Sequence, residues 1–297
     1  MLHWFKKVVI IYLKVFDRKV VVILVETADN NAQNQEILRM ISEMRLFDDN
    51  LMTLVFDKNI PATELILNIL LKRDDLKVLE VVAQREYKSP MPKGRSITID
   101  IHAIDANKRE YDVEVQRADA GADVHRARFH SSMVDSKMLK AGQDFKDIKD
   151  SYVIFISEND VMGAGLPLYH IERTIQETGK MFGDGSHILY VNGSYKDDND
   201  PVGRLMHDFR CVSSVDMFYP LLAEQIRHFK ETEGGRKIMC KAVEDWAMGV
   251  AEEKVIEDRK ENAKKMIAKG KLTLDEIAEY ASLPLEIVEE LANLQPA

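Results

Sequence analysis

The 297-residue chain has little of what would place it in several common classes of protein. It holds two cysteines, Cys211 and Cys240, with no Cys-x-x-Cys pair and no Cys/His cluster at zinc spacing. Neither a disulfide framework nor a zinc module therefore organises it, and both thiols are expected to be reduced and buried. Glycine (14) and proline (8) are too sparse for a collagen-like or low-complexity chain, and 45% hydrophobic residues suffice for a core. No apolar run reaches the roughly 18 residues of a membrane span. Val8 to Leu13 is cut off by Lys14, Asp17, Arg18 and Lys19 before a second run, Val20 to Val25, begins. No small-residue cleavage site follows, which argues against a signal peptide, and a cytoplasmic protein without a membrane anchor is expected. A basic excess is also missing: the net charge is -9, which speaks against wholesale adhesion to nucleic acid or anionic membranes.

The distribution of that charge is more informative than its total. Residues 271–297 carry 1 basic and 6 acidic residues, whereas residues 85–149 carry 13 basic and 11 acidic ones, for a local charge of +2. The middle of the chain thus holds its densest alternation of acids with β-forming residues and surrounds those acids with cations.

Hydrophobic spacing gives the element order. Residues 62–72, entered through Pro61, read as a helix with Leu65, Ile69 and Lys72 on one face. Lys77–Gln84 is β-rich. Arg95–Asp105 and Tyr111–Gln116 alternate strictly around the polar turn Ala106-Asn107-Lys108-Arg109, which makes a hairpin. Residues 123–140 return to helical spacing, and Tyr152–Ile156 is a continuous apolar run suited to a buried strand. The resulting order is αβββαβ.

A turn centred on Asn107 sets Asp100 across from Glu114 and Thr98 across from Gln116. One face then holds Ile97, Ile99, Ile101, Ala103, Tyr111, Val113 and Val115, and the other Thr98, Asp100, His102, Asp112, Glu114 and Gln116. Opposed like charges destabilise a hairpin unless something compensates. A hard divalent cation with oxygen ligands would do so; so would plain solvation of an amphipathic face. The neighbourhood favours the cation. Arg95 precedes the first acid, Arg117 follows Gln116, and the next helix opens His125-Arg126-Ala127-Arg128-Phe129-His130, with Arg126 and His130 at i,i+4. Acids able to hold a metal beside cations able to hold phosphate suit metal-assisted phosphodiester hydrolysis.

Taken together, Met44–Asn50, Arg95–Ile101, Glu114–Arg117, Arg126–Phe129, Tyr152–Ile156, Gly165–Tyr169, Asp184–Ile188 and Tyr190–Gly193 resemble the PD-(D/E)xK nuclease family transposases, the Rpn-like recombination-promoting nucleases. The likeness spans roughly residues 44–245. It implies a restriction-endonuclease-like α/β fold with a mixed sheet, a Mg²⁺ cofactor for which Mn²⁺ can substitute, and double-stranded DNA as substrate, with no organic cofactor. Carried over residue by residue, it implies Asp100, Glu114 and the Val115 carbonyl as metal ligands, Gln116 as the residue that positions water, and Arg95, Arg126 and Arg128 as phosphate contacts. Two positions depart from the superfamily pattern: Ile99 stands where proline precedes the first acid, and Gln116 replaces the lysine. Glutamine orients water by hydrogen bonds only, so water activation falls to the metal. Glu64 on the first helix is an auxiliary acid candidate, read here as a solvated helix-start residue. Asp48 and Asp49 read as helix caps, and His207-Asp208 as part of a packing segment.

Three regions follow: an N-terminal extension (1–43), which reads as an over-extended start and contains a polar linker at 27–35; a nuclease-like domain (44–245); and a charged helix with an acidic helical tail (246–297). The tail has a helix-turn-helix rhythm, but Glu286, Glu289 and Glu290 would face DNA, which points to packing or self-association. The functional expectation is a Mg²⁺-dependent DNA endonuclease of transposase type that promotes recombination, with two cuts favouring a homodimer. The rival is a catalytically silent DNA-binding or interaction relic of a mobile element.

Overall fold

The computed structural model of the chain describes residues 9–15, 18–24, 30–89, 91, 94–117 and 119–293. Two compact units emerge, Gln35–Cys240 and a second made of Met1–Asn34 with Lys241–Ala297. In chain order the elements are β1 (Val9–Val15), β2 (Arg18–Leu24), α1 (Asn30–Glu43), α2 (Asp49–Phe56), α3 (Ile60–Leu70), β3 (Val78–Tyr87), β4 (Ile97–Asp105), β5 (Glu110–Gln116), α4 (Val124–Met138), β6 (Ser151–Ser157), β7 (Leu168–Ile171), β8 (Thr174–Ile175), β9 (Lys180–Met181) and β10 (Ser186–Asn192). Helices α5 (Pro201–Arg210), α6 (Pro220–Glu231), α7 (Glu233–Lys269), α8 (Leu274–Ala281) and α9 (Leu285–Asn293) complete the chain.

The larger unit is a mixed α/β structure around a six-stranded sheet of order β3-β4-β5-β6-β10-β7. β3, β4 and β5 run antiparallel, β5, β6 and β10 run parallel, and β7 closes the far edge antiparallel to β10. The α3-β3-β4-β5-α4-β6 sequence reproduces the αβββαβ order and is consistent with a restriction-endonuclease-like fold. A parallel β5–β6 pair needs a crossover, and α4 supplies it. Asp123 starts that helix by accepting from the amides of His125 (2.8 Å) and Arg126 (3.3 Å), which fixes where the Arg126 face begins. Ala122 and Ala127 then pack on Val153, Phe155 and Tyr190, and Met133 and Val134 pack on Ile97, Ile99 and Tyr87. At the other end of the hairpin, Asp105 ties the turn by accepting from the amides of Asn107 and Arg109, the Arg109 guanidinium and the Tyr111 hydroxyl.

Several details differ from expectation. Helix α3 buries Ile66, Leu67 and Leu70 rather than the Leu65 and Ile69 face, because Leu67 and Leu70 lie on the side turned to the core. Both cysteines lack a disulfide but are partly exposed rather than buried. Of the stretch 27–35 read as a linker, residues 27–29 lie outside the described residues and the remainder opens α1. Met1–Val8 also lies outside them. Among the described residues, no helix is long and apolar enough to cross a membrane.

The C-terminal helices form their own small core. Ile277, Ala281, Leu283, Val288 and Leu291 close over Ala263 of α7. Thr273 and Glu276 make a reciprocal capping box at the start of α8, a two-bond solution to the unpaired amides of a helix N-terminus.

Candidate active site

The β4–β5 ladder pairs Ile101 with Val113, His102 with Asp112, Ala103 with Tyr111 and Ile104 with Glu110, the register set by a turn centred on Asn107. Asp100 and Glu114 lie one step beyond the last of these pairs. There the strands are joined through side chains: the Asp100 amide donates to Glu114 Oε1 (3.2 Å) and the Val115 amide donates to Asp100 Oδ2 (2.9 Å). On the other side of β4, Gln84 adopts left-handed backbone (φ 51°) and interrupts the ladder between the Ala83–Ile101 and Arg85–Ile99 pairs. Its side-chain amide reaches Asp100 Oδ1 at 3.3 Å. Asp100 therefore sits in a local opening of the sheet.

The middle of the hairpin's polar face is buried, while Thr98 at its end is exposed. His102, Asp112 and Glu114 are each 0% exposed, because Tyr87 and α4 cover them. His102 bonds Arg85 (2.8 Å), Tyr87 (3.0 Å) and Glu110 (3.0 Å). Glu114 Oε2 accepts from Arg126 at 2.5 Å and from the Gln116 amide at 3.4 Å. Asp112 Oδ2 meets His130 Nδ1 at 2.8 Å, while Asp112 Oδ1 is buried with no hydrogen-bond partner.

Crowding of carboxyls in a dry place raises their proton affinity. Burial, with the charge of Asp49 added, lifts Asp100 to about 6 against the bond from the Val115 amide. Burial followed by Asp100 lifts Asp112 to about 8, and burial followed by Asp112 and Asp100 lifts Glu114 to about 9. His130 moves the other way, its proton affinity lowered by burial against the pull of Glu114. Three carboxyls thus converge on one guanidinium. A buried carboxylate oxygen with no donor, next to further oxygen ligands and short of positive charge, is the donor set a hard divalent cation takes. The residues present fit such an ion, and Asp112, Glu114 and His130 together bring ligand atoms within 4.8 Å of one another.

The other residues singled out in the sequence fall into two groups. Gln116 ends β5 beside Glu114, in a space left by Gly121: a Cβ at Gly121 would collide with the Gln116 side-chain oxygen. Arg126 is part of the cluster. Arg95 is exposed just before β4, close enough for its charge to act on His130. Arg128 is exposed and lies about 200° round α4 from Arg126, as two residues of helix require, so it does not join Arg126 on the acids. Glu64 accepts from Lys77 Nζ (2.8 Å) and the Val78 amide (3.0 Å), which uses both its oxygens in tying α3 to β3.

The residue missed is Asp49. The sequence sets it with Asp48 as a cap, but the Asp48 side chain makes no capping bond. Asp48 instead accepts from Arg117 (2.6 Å) and the Arg45 amide (2.7 Å), while Arg45 holds Glu158 at 2.7 Å and Glu158 lies 3.6 Å from Arg117. That ring of four charges fixes the start of α2 and brings Asp49 near enough to Asp100 to raise it. The signal available in sequence was the doubled acid before an apolar helix, with Arg45 and Arg117 as unassigned counter-charges. His207, Asp208 and Cys211 also cluster, but both Asp208 oxygens accept backbone amides, from Phe218 and Tyr219 at 2.8 Å each, and burial pushes the Cys211 thiol up to about 11. That cluster is structural, as expected.

Residues 55–194 match the family model described as PD-(D/E)XK nuclease family transposase. Neither a comparison with curated proteins nor one with solved structures gives a significant match.

Proposed function

We propose, for a chain whose residues 55–194 match the family model described as PD-(D/E)XK nuclease family transposase, that the protein is a Mg²⁺-dependent endonuclease hydrolysing phosphodiester bonds of double-stranded DNA. The family match supports a nuclease-like function for this segment. The observation that carries the finer reading is the Asp100–Glu114 pair at the open end of the β4–β5 ladder, bonded crosswise and backed by Arg126.

Asp100, Glu114 and the Val115 carbonyl would hold the ion, with Asp49, rather than Glu64, as the auxiliary acid. Bound there, the cation would neutralise the raised carboxyls and lower the pKa of a coordinated water. Mn²⁺, with the same taste for oxygen ligands, should substitute. Gln116 has no charge to lend and no proton to take at neutral pH, so its part is to orient the water by its amide. Arg126 has a fork of donors suited to the charge that develops on a phosphate in reaction. The exposed Arg95 and Arg128 would bind the duplex backbone without reading its sequence. A role in recombination and a homodimer that makes paired cuts extend the same reading.

The test is nicking of supercoiled plasmid by the full chain with Mg²⁺, Mn²⁺ or EDTA. Asp100→Asn and Glu114→Gln are the informative variants, because an amide oxygen still accepts the bonds from the Val115 and Asp100 amides. Each should lose about 10²-fold or more in rate while staying folded. Full Mg²⁺-dependent nicking by either variant would refute the assignment. DNA binding by wild type without any metal-dependent cleavage would instead favour the silent relic.

A further inference from the structure

Behind the acidic pair lie three residues that the proposed reaction does not need as ligands, and they are joined end to end. Asp112 and His130 are 0% and 2% exposed. Asp112 Oδ2 takes the proton of His130 Nδ1 at 2.8 Å, which leaves Nε2 as an acceptor, and Arg126 Nε donates to it at 3.3 Å. The Arg126 guanidinium also lies over the Phe155 ring, 5.9 Å from its centroid. A planar fork held at Nε and against one ring has little freedom left. Its NH2 group meets Glu114 Oε2 at 2.5 Å.

We propose, resting on the metal-site reading above, that Asp112 and His130 are positioning residues that dock Arg126 on Glu114 as the resident counter-cation of the site. Arg126 thus holds the place that a divalent cation would take on Glu114 Oε2, and must withdraw from it when the ion is bound. The same withdrawal, in which the planar guanidinium turns as one body about its side-chain bonds, frees its NH2 groups for a phosphate. Like charges crowded into a dry site repel, so the arginine weakens metal binding even as it serves the reaction. A residue that merely braced the fold would not have that signature.

The experiment is calorimetric titration of Mn²⁺ into the metal-free full chain, without DNA, for wild type, Arg126→Gln, Arg126→Lys, His130→Gln and Glu114→Gln, with far-UV circular dichroism to confirm folding. Arg126→Gln should bind Mn²⁺ about tenfold tighter than wild type, the factor that about 1.4 kcal/mol of relieved repulsion gives. Arg126→Lys, which keeps the charge, should return close to wild type. His130→Gln should bind several-fold tighter, because the guanidinium loses its brace, and it serves alone if Arg126→Gln fails to fold. Unchanged or weaker binding by both Arg126→Gln and His130→Gln, with Glu114→Gln still abolishing it, overturns the docking proposal and leaves the metal site standing. No binding by wild type or by either of those variants overturns the proposal together with the metal-site reading.

Discussion

Replacing Asp112 by asparagine should stabilise the metal-free protein above neutral pH and do nothing at acid pH. The carboxyl is fully buried, its ordinary value of 3.8 is raised to about 8 by burial and then by Asp100, and its Oδ1 has no partner. Between those two values the folded state binds a proton that the unfolded state has released, so stability falls as pH rises through the window and levels off above it. At about pH 8 the accumulated penalty has a ceiling of about 6 kcal/mol, at about 1.4 kcal/mol per unit. Much of that is shared within the cluster, since Asp100 raises Asp112 and both raise Glu114, so removing one charge recovers only part. Asparagine keeps an oxygen for His130 but brings an amide nitrogen into the pocket, at about 1–3 kcal/mol if unpaired, a cost that at acid pH the equally unpaired hydroxyl of the protonated carboxyl matches. A net gain of about 2 kcal/mol remains, or about 4–8 °C in the unfolding midpoint of a unit of this size. The assay is thermal or urea unfolding of wild type and Asp112→Asn in EDTA at several pH values from about 4 to 8.5. The gain should be near zero at the acid end and grow through neutrality. A destabilised variant at about pH 8, or a gain that does not change with pH, would refute the account of the cluster.

Two further outcomes follow from the geometry. Gly121→Ala should cut the Mg²⁺-dependent nicking rate about tenfold with little change in DNA binding, because the added methyl displaces the Gln116 amide; steady-state kinetics would separate the two. Asp208→Ala strands the amides of Phe218 and Tyr219 and should cost about 2–4 kcal/mol in urea unfolding, whereas a cost under about 0.5 kcal/mol would mean those amides find water.

The hairpin was legible because its signals are local. Strict alternation and a polar turn fixed the register, and the register alone put Asp100 beside Glu114. Arg126 and His130 could be set on one helix face by i,i+4 spacing for the same reason. Burial of the polar face was not legible, since nothing within residues 95–116 says that Tyr87 will cover His102 or that α4 will cover Asp112 and Glu114. Asp49 was missed on similar grounds. Its position depends on Arg45, Asp48, Arg117 and Glu158 meeting across 113 residues of chain, and long-range ion pairs leave no periodic trace. The choice between caps and counter-charges for Asp48 and Asp49 is made by that ring. Helix α3 shows the weaker side of periodicity: with apolar residues on most of its surface, spacing does not say which stripe turns inward.

The crosswise bonding of Asp100 and Glu114 has a consequence for how copies of such a gene decay. The same two carboxyls close the strand pairing by accepting the Val115 and Asp100 amides, so on the proposed reading their loss removes the metal ligands and two backbone partners together. Substitution by alanine or valine should send the chain to proteolysis rather than to a persistent inactive protein. A copy that has lost cleavage yet still accumulates should carry asparagine or glutamine there, the residues that spare the strands. The route from enzyme to inert scaffold is in that sense narrow, and a surviving aspartate–glutamate pair is what selection for folding and selection for cutting would both retain.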